Sequence, residues 1–349
     1  MRAFTFQGPG KAELTELPDP EPGPGEVVIK VESVTVCGTD LRIMRGEKSK
    51  GIPTGLILGH EIAGTIAKLG DGVEGYEVGQ LCGVSPTFAC GVCRYCQAGL
   101  ANLCGNAGVV GNNFDGALAD FMLIPERGVR SRRLVPAPDG LPPEQLSLAE
   151  PLSCCLNGLD QYRVDIGDVV LILGAGPIGL FHLQLARIAG ARTVIVSDPS
   201  PSRRTMATEL GAGATVDPTT EDLAAVVADA TGGFGADVAV ICIGRPQLVN
   251  DALHLVRKRG RVSIFAGLPG KGEAEIEGNL IHYKEITVVG ASNSGLADYE
   301  RAVALLASGR IDADRMVTHR YPLDRTAEAI EFVASGDGIK IAVLPQMSD

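Results

Sequence analysis

The chain has 349 residues, of which 45% are hydrophobic, and a formal net charge of −11. This length predicts two domains, and the apolar content excludes a disordered chain. The acidic charge argues against nucleic acid as a partner, because its binding needs clustered lysine and arginine. The start lacks a signal-peptide pattern, and the most apolar run, 169–180, is too short to span a bilayer. We expect a cytoplasmic protein with no membrane partner.

Residues 1–150 read as short strands between turns rich in glycine and proline. Strands are predicted at 1–6 and 27–32, and a further strand is predicted to run into the segment 37–40. Recurring turn signals between short strands are typical of a partly open β-barrel.

A first candidate metal site combines a cysteine, a histidine and two carboxylates: Cys37, His60, Glu61 and Glu150. Zinc in a catalytic site uses such ligands and keeps one position open for substrate. Each residue taken singly is more often structural. The sequence leaves open whether Glu61 or Glu150 is the third ligand.

Two neighbours of Cys37 are catalytic candidates. If the backbone is extended there, Thr39 lies on the same face as Cys37, so that its hydroxyl can pass the alcohol proton outward. Asp40 is predicted to hold the second nitrogen of His60, which is the usual role of a carboxylate next to a metal-binding histidine.

A second candidate metal site has the spacing C-x2-C-x2-C-x7-C, formed by Cys90, Cys93, Cys96 and Cys104. Short loops of this kind turn four sulfurs toward one point, and a site with four thiolates has no open position for chemistry. An iron–sulfur cluster is the alternative, but its bacterial signature ends in C-x3-C-P. We therefore predict a structural zinc, giving two zinc ions per chain.

The pattern changes at the apolar run 169–173, which predicts a buried parallel strand followed by a helix over 180–189. The connecting turn contains Gly174, Gly176, Pro177, Ile178 and Gly179. Gly174 allows the tight turn, Gly176 lets the backbone approach a pyrophosphate, and Gly179 lets the helix pack closely. Pro177 is tolerated in the first helical turn. We predict a dinucleotide site here.

Asp198 ends the next predicted strand, 193–197, at the place where a carboxylate binds the ribose hydroxyls. It would repel a 2′-phosphate, so the sequence favours NAD over NADP. Arg203 and Arg204 leave NADP open, because arginine can bind that phosphate.

Strand and helix patterns alternate further, with strands at 236–243, 261–265 and 285–290 and a helix at 247–257. This alternation predicts a doubly wound parallel sheet. Gly244 and Gly267 close strand ends and are cofactor-binding candidates. The apolar strand 285–289 is predicted to lie at an edge of the sheet and to favour oligomerisation. Helices at 299–307 and 326–335 and a strand at 340–344 are predicted to return to the first domain.

Taken together, these motifs resemble the zinc-containing medium-chain dehydrogenase/reductase family over essentially the whole chain. The segment Gly59-His60-Glu61-x2-Gly64 is similar to its zinc signature. The resemblance implies an α/β fold, with a Rossmann sheet beside a GroES-like β-barrel. The implied catalytic domain covers 1–150 and 294–349 with the structural zinc lobe at about 88–106, and the NAD-binding domain covers 151–293.

Within the family, 37–40 and 149–152 resemble the polyol (sorbitol-type) branch and aminocyclitol dehydrogenases. The resemblance implies Cys37, His60 and Glu150 as ligands. It also implies that Glu61 is a catalytic candidate, close enough to coordinate the metal, to exchange as a ligand or to hold the bound water. Arg42 stands where the family often has a histidine that ends a proton relay. Residues 292–294 are implied near the substrate and lack the arginine common in sorbitol dehydrogenases, which suits a polyol of another shape.

The sequence thus predicts an enzyme that oxidises a secondary alcohol of a polyol or (amino)cyclitol to a ketone with NAD, acting as a homodimer or homotetramer. An alcohol or aldehyde reductase that uses NADPH is one alternative. A binding protein without catalysis on the same scaffold is another.

Overall fold

The structure is a computed structural model that describes residues 1–48 and 51–348. The chain divides into two compact units. Unit 1 comprises Met1–Ser153 and Asn293–Asp349, and unit 2 comprises Cys154–Ser292. Each unit contains a hydrophobic core of its own. Within the described ranges, no helix is both long and apolar enough to cross a membrane.

The described residues form seventeen β-strands, named β1 to β17 in chain order: Arg2–Gly8, Lys11–Glu16, Val27–Thr35, Glu61–Leu69, Leu81–Val84, Thr87–Phe88, Gly108–Val109, Phe121–Ile124, Leu134–Pro136, Val169–Leu173, Thr193–Ser197, Ala214–Val216, Ala236–Ile241, Val256–Ile264, Thr287–Gly290, Val317–Pro322 and Lys340–Leu344. They also form thirteen α-helices, α1 to α13: Gly38–Met44, Arg94–Gln97, Glu126–Arg130, Pro143–Leu146, Ala149–Tyr162, Pro177–Ala189, Pro201–Glu209, Leu223–Thr231, Gln247–Leu255, Gly278–Lys284, Leu296–Ala307, Ala313–Met316 and Thr326–Ser335.

Unit 1 is built on a seven-stranded sheet. Its neighbours follow the order β16, β17, β3, β4, β5, β9, and β8 also pairs with β3. All these pairs are antiparallel except β16 with β17. The strand β3 pairs with three others, and side chains from both of its faces, such as Val27, Val28 and Ile29, are fully buried. This rigid strand brings residues from distant parts of the chain to one place.

Unit 2 is built on a six-stranded parallel sheet with the order β12, β11, β10, β13, β14, β15. This is the Rossmann order, with the first strand of the unit, β10, at the centre. Every side chain of β10 is buried, as its unbroken apolar sequence predicts. The predicted fold class, a doubly wound parallel sheet with a separate and mostly antiparallel sheet domain, is confirmed.

Several predicted elements have the predicted bounds, namely β11, α13 and β17. The helix α6 starts at Pro177 rather than at 180, because proline fits the first helical turn. The helix α9 ends at Leu255, since β14 already begins at Val256, five residues before its predicted start. The helix α7 is not predicted from the sequence, because its polar sequence PSRRTMATE has little apolar periodicity.

The segment 37–40 is not a strand. Cys37 is extended, but the backbone from Gly38 onward is helical, so the predicted extended strand that places Thr39 on the same face as Cys37 is wrong. The strand β3 ends at Thr35, and Gly38 begins α1, with Cys37 as its N-cap. The backbone amide of Cys37 donates a hydrogen bond of 2.9 Å to Asp40 Oδ2. This local bond favours a helical start, because an acidic side chain in the first turn satisfies an amide that the helix leaves free.

Candidate active site and metal centres

Three metal-ligating side chains converge at one end of the β3–β4 pair. The strand β4 begins at Glu61, directly after His60, and the antiparallel register places Glu61 opposite Thr35. Cys37 follows two residues after Thr35. One ligand atom from each of Cys37, His60 and Glu61 therefore lies within 4.8 Å of the others. A sulfur, an imidazole nitrogen and a carboxylate oxygen are ligands that suit zinc.

Asp40 stands beside the imidazole of His60. The distance from Asp40 Oδ1 to His60 Nδ1 is 3.6 Å, and the Asp40 side chain is fully buried. Burial lowers the pKa of His60, but the negative charges of Asp40 and Cys37 outweigh burial and raise this pKa well above its usual value. The negative charge of the Asp40 carboxylate therefore favours the protonated ring of His60, while its Oδ2 accepts a hydrogen bond from the Cys37 amide.

The carboxylate of Glu61 is held by two buried side chains. Lys340 Nζ donates to Glu61 Oε1 at 2.5 Å and also to Oε2, and Thr35 Oγ1 donates to Oε2. Lys340 also donates to the carbonyl oxygen of Val36 at 3.3 Å. Burial lowers the pKa of Lys340, but the charge of Glu61 reverses this effect and raises the pKa. The charge of Glu61 is thus balanced within the protein.

Glu150 lies outside the group formed by Cys37, His60 and Glu61. It is in the first turn of α5, where Ser153 Oγ donates to its backbone oxygen at 2.6 Å. The charge of its carboxylate contributes to the raised pKa values of Lys340 and Tyr299. The structure therefore brings together three of the four predicted ligands, because strand register aligns them and Glu150 is carried by a helix.

Thr39 is the second residue of α1 and is partly buried. It comes near Cys37 through the helix start and not through alternation along a strand. Arg42, which replaces the histidine expected from the resemblance, lies on the same helix with its side chain 46% exposed. Its Nε is 3.8 Å from Glu47 Oε2, so its charge is directed to a surface carboxylate.

The four clustered cysteines meet at a second point in unit 1. The sulfur atoms of Cys90, Cys93, Cys96 and Cys104 all lie within 4.8 Å of one another. The distance between sulfurs is 3.9 Å for Cys90–Cys96 and 3.5 Å for Cys93–Cys96. A tetrahedral zinc with Zn–S bonds of about 2.3 Å needs sulfurs about 3.8 Å apart. Hydrogen bonds from the amides of Val92 and Cys93 lower the pKa of Cys90 to about 6, which favours the thiolate.

The nucleotide turn of unit 2 joins β10 to α6. Gly174 has φ 103°, a conformation that favours glycine. At Gly179 a Cβ would stand 1.9 Å from the carbonyl oxygen of Gly174, whereas at Gly176 a Cβ would meet nothing within 4 Å. Gly179 is therefore required by packing, while Gly176 borders open space at the helix start. Ile178 faces the protein through its carbonyl, which accepts from the buried Cys155 thiol at 3.8 Å.

Asp198 lies at the end of β11 and is 3% exposed. Its two carboxylate oxygens accept from the amides of Ala175 and Ser200, each at 2.8 Å. The two nearby arginines differ. Arg204 donates to the Asp198 carbonyl at 2.7 Å and lies 3.2 Å from Asp217. The Nη1 atom of Arg203 is 3.9 Å from Asp198 Oδ2, so of the two guanidiniums it stands nearer to the Asp198 carboxylate.

Gly244 and Gly267 follow the carboxyl ends of β13 and β14. A Cβ at Gly244 would lie 2.5 Å from the carbonyl oxygen of Gly267. The two loops therefore touch along their backbones, at the edge of the sheet where parallel α/β folds bind ligands.

The roles of Lys340 and Thr35 are not predicted from the sequence. Lys340 is predicted only as the start of an apolar strand. The signal in the sequence is a charged residue at the start of the otherwise apolar strand KIAVL, whose other side chains are almost all buried.

In the predicted substrate segment 292–294, Asn293 has φ 53° and the buried Ser294 shares a hydrogen bond of 2.7 Å with Ser153.

Comparisons with known proteins agree with this geometry. Residues 23–139 match the alcohol dehydrogenase GroES-like domain, and residues 177–308 match the zinc-binding dehydrogenase domain. The chain is 37% identical to an L-threonine 3-dehydrogenase of Pyrococcus furiosus, with 95% of each chain covered. It is 34% identical to a sorbitol dehydrogenase of Halalkalibacterium halodurans, with 98% of each covered. A crystal structure of a zinc-binding dehydrogenase from Sinorhizobium meliloti bound to NADP superimposes with a TM-score of 0.92, at 35% identity over 99% of both chains.

Proposed function

Because the chain belongs to the zinc-containing medium-chain dehydrogenase/reductase family, we propose that it oxidises a secondary hydroxyl of a polyol or (amino)cyclitol to a ketone, or catalyses the reverse reaction, with NAD. The observation that carries this proposal is the convergence of the Cys37 sulfur and the His60 imidazole, with the carboxylate of Glu61 beside them, at the end of the β3–β4 pair. The reaction moves a hydride from the alcohol carbon to nicotinamide and releases the hydroxyl proton.

In this proposal Cys37 and His60 hold the catalytic zinc, which supplies Lewis-acid polarisation of the alcohol oxygen. Asp40 orients His60, and Thr39 receives the hydroxyl proton and passes it outward. Cys90, Cys93, Cys96 and Cys104 hold a structural zinc, since four thiolates leave no open position.

For the third ligand we propose Glu150 rather than Glu61. Three hydrogen bonds from Lys340 and Thr35 already balance the charge of Glu61. Glu61 would then lie next to the metal, where its carboxylate could replace one of the ligands or bind a water molecule. Metal analysis of Glu150→Ala and Glu61→Ala separates the alternatives, because the true ligand is the one whose loss removes the exchangeable zinc.

Asp198 supports NAD as the cofactor, because a buried carboxylate at the end of β11 disfavours a 2′-phosphate. The Sinorhizobium meliloti structure with bound NADP supports the alternative, an alcohol or aldehyde reductase that uses NADPH. Arg203, beside Asp198, is the residue that would favour that cofactor.

The substrate class rests on two features. The sorbitol dehydrogenase relative supports a polyol. A carboxylate ligand also makes the zinc site more anionic than a site with two thiolates and one histidine, and a polyol offers a second hydroxyl for chelation. The L-threonine 3-dehydrogenase relative supports a second candidate, a β-hydroxy amino acid.

The test is metal analysis together with NADH absorbance on a panel of polyols, aminocyclitols, L-threonine and simple alcohols. We expect two zinc ions per chain, one of them exchangeable and required for turnover, and activity on polyols or cyclitols. Turnover of L-threonine alone would reject the substrate class but retain the chemistry. One firmly bound zinc with no NAD binding would indicate a binding protein instead.

A further inference from the structure

The lobe around the four clustered cysteines, residues 88–106, contains no aspartate or glutamate. Its only charged side chain besides the cysteines is Arg94, which is exposed. A zinc ion held by four thiolates carries two negative charges in excess. The lobe itself therefore holds no buried cation that would balance a metal centre of this kind.

Two arginines outside the lobe bond to residues at its ends or close to them in the chain. Arg127, on α3, donates through Nε to the carbonyl oxygen of Ala89 at 3.0 Å and through Nη2 to that of Asn106. Ala89 directly precedes Cys90, and Asn106 comes two residues after Cys104. One guanidinium thus joins the two ends of the lobe.

The second arginine, Arg133, is only 4% exposed. Its Nη1 donates to Ser85 Oγ at 3.2 Å, and its Nε has no hydrogen-bond partner within the described part of the chain. Burial lowers the pKa of Arg133, and the charge of Cys96 acts in the opposite direction. A guanidinium stays protonated in proteins, so this buried charge requires compensation.

Neither arginine has a carboxylate within 4.0 Å among the described residues, whereas the buried Lys340 of unit 1 is paired with Glu61. We propose that Arg127 and Arg133 are positioning residues for the four-cysteine metal centre. Arg133 supplies the buried charge that balances the zinc tetrathiolate, and Arg127 fixes the ends of the lobe. This inference rests on the proposed assignment of the four cysteines as zinc ligands.

The test is the rate at which the lobe loses zinc to an excess of chelator, followed with a metal indicator. A Cys93→Ser variant assigns the kinetic phase, because it should remove one of the two zinc ions. We expect Arg133→Met and Arg127→Met to accelerate that phase roughly tenfold, since groups that surround the ligands of a metal typically change its affinity by about this factor or more. Arg133→Lys keeps the charge and should release zinc at close to the wild-type rate.

Arg130→Met is the matched control, since Arg130 lies on α3, the helix that carries Arg127, and its side chain is 76% exposed. It should leave the release rate unchanged. The inference is overturned if Arg133→Met releases zinc at the wild-type rate, or if Arg133→Lys is as fast as Arg133→Met, because packing and not charge would then matter. If Arg133→Met does not fold, Arg127→Met and Arg133→Lys decide. A wild-type lobe without metal would instead refute the ligand assignment.

Discussion

The ammonium group of Lys340 donates hydrogen bonds to both carboxylate oxygens of Glu61, and neither side chain is more than 3% exposed. The two residues are 279 positions apart in the chain. The pairing of β17 with β3 and of β3 with β4 brings them together. This ion pair ties the closing strand of unit 1 to the residue that follows His60.

Replacing Lys340 by Met should destabilise the protein strongly. The substitution leaves the buried carboxylate of Glu61 without its cation, and the loss of one partner of a buried pair costs about 3–5 kcal/mol in the free energy of unfolding. Urea denaturation measures this loss. The control is Lys68→Met, which breaks an exposed pair with Glu21 and should cost about 1 kcal/mol or less. Equal losses in the two variants would contradict the role given to Lys340.

The same variant has a defined pH dependence. The pKa of Lys340 is raised in the folded protein. Its contribution is therefore fully present below the pKa of a lysine in the unfolded chain, about 10.4, and is lost as pH rises through the folded value. The stability difference between wild type and Lys340→Met should stay constant from about pH 6 to pH 9. A difference that shrinks within this window would show that another group carries the effect.

Thr39→Val should lower kcat by roughly a hundredfold or more, because it removes the hydroxyl proposed to receive the substrate proton. The zinc content should be unchanged, since Thr39 is not a proposed ligand. Thr39→Ser retains a hydroxyl and should recover most of the activity. Steady-state kinetics with metal analysis tests this, and a Thr39→Val enzyme with normal kcat would exclude the residue from proton transfer.

Two alanine substitutions in the predicted nucleotide turn should affect different properties, one the stability of the protein and the other its affinity for NAD. At Gly179 the new Cβ would meet the Gly174 carbonyl at 1.9 Å, so Gly179→Ala should lower the melting temperature by several degrees. At Gly176 the Cβ meets no protein atom within 4 Å, so Gly176→Ala should change the melting temperature little. It should nevertheless weaken NAD binding, because it fills the space where the backbone approaches the pyrophosphate. Calorimetric titration and thermal melts separate the two outcomes.

Asp198→Ala should shift the cofactor preference toward NADP. We expect the ratio of kcat/KM for NADP to that for NAD to rise roughly tenfold or more, since about 1.4 kcal/mol of lost discrimination corresponds to a factor of ten. Some loss of stability should accompany it, because the amides of Ala175 and Ser200 lose their acceptor. The control is Asp217→Ala, which removes an acid that pairs with Arg204 instead. An unchanged ratio in Asp198→Ala would mean that Asp198 does not read the ribose.

The edge strand β15 should mediate self-association. It lies at one edge of the parallel sheet, opposite β12, and Val288 on it is 37% exposed. Unpaired backbone on an apolar edge favours pairing with a second copy. Val288→Lys should convert the proposed dimer or tetramer to a smaller species in light scattering coupled to gel filtration. An unchanged mass would place the interface elsewhere.

The fold class can be predicted from the sequence alone. The fully apolar run 169–173 and the glycine turn after it are signals that depend only on residues adjacent in the chain. Both the strand and the turn therefore form where they are predicted. The spacing of the four clustered cysteines is local in the same sense, since short loops suffice to bring their sulfurs together.

The surroundings of the first candidate metal site depend on contacts between residues that are far apart in the chain. Strand pairing brings Lys340 and Thr35 within hydrogen-bond distance of Glu61, while Glu150 lies on a helix, outside the group formed by Cys37, His60 and Glu61. The start of α1 is likewise seen only in the structure. The hydrogen bond from the Cys37 amide to Asp40 accompanies a helical backbone from Gly38 onward, where an extended strand is predicted. Contacts between residues far apart in sequence leave no periodic pattern along the chain, so the register of β3, β4 and β17 had to be seen before these partners could be known.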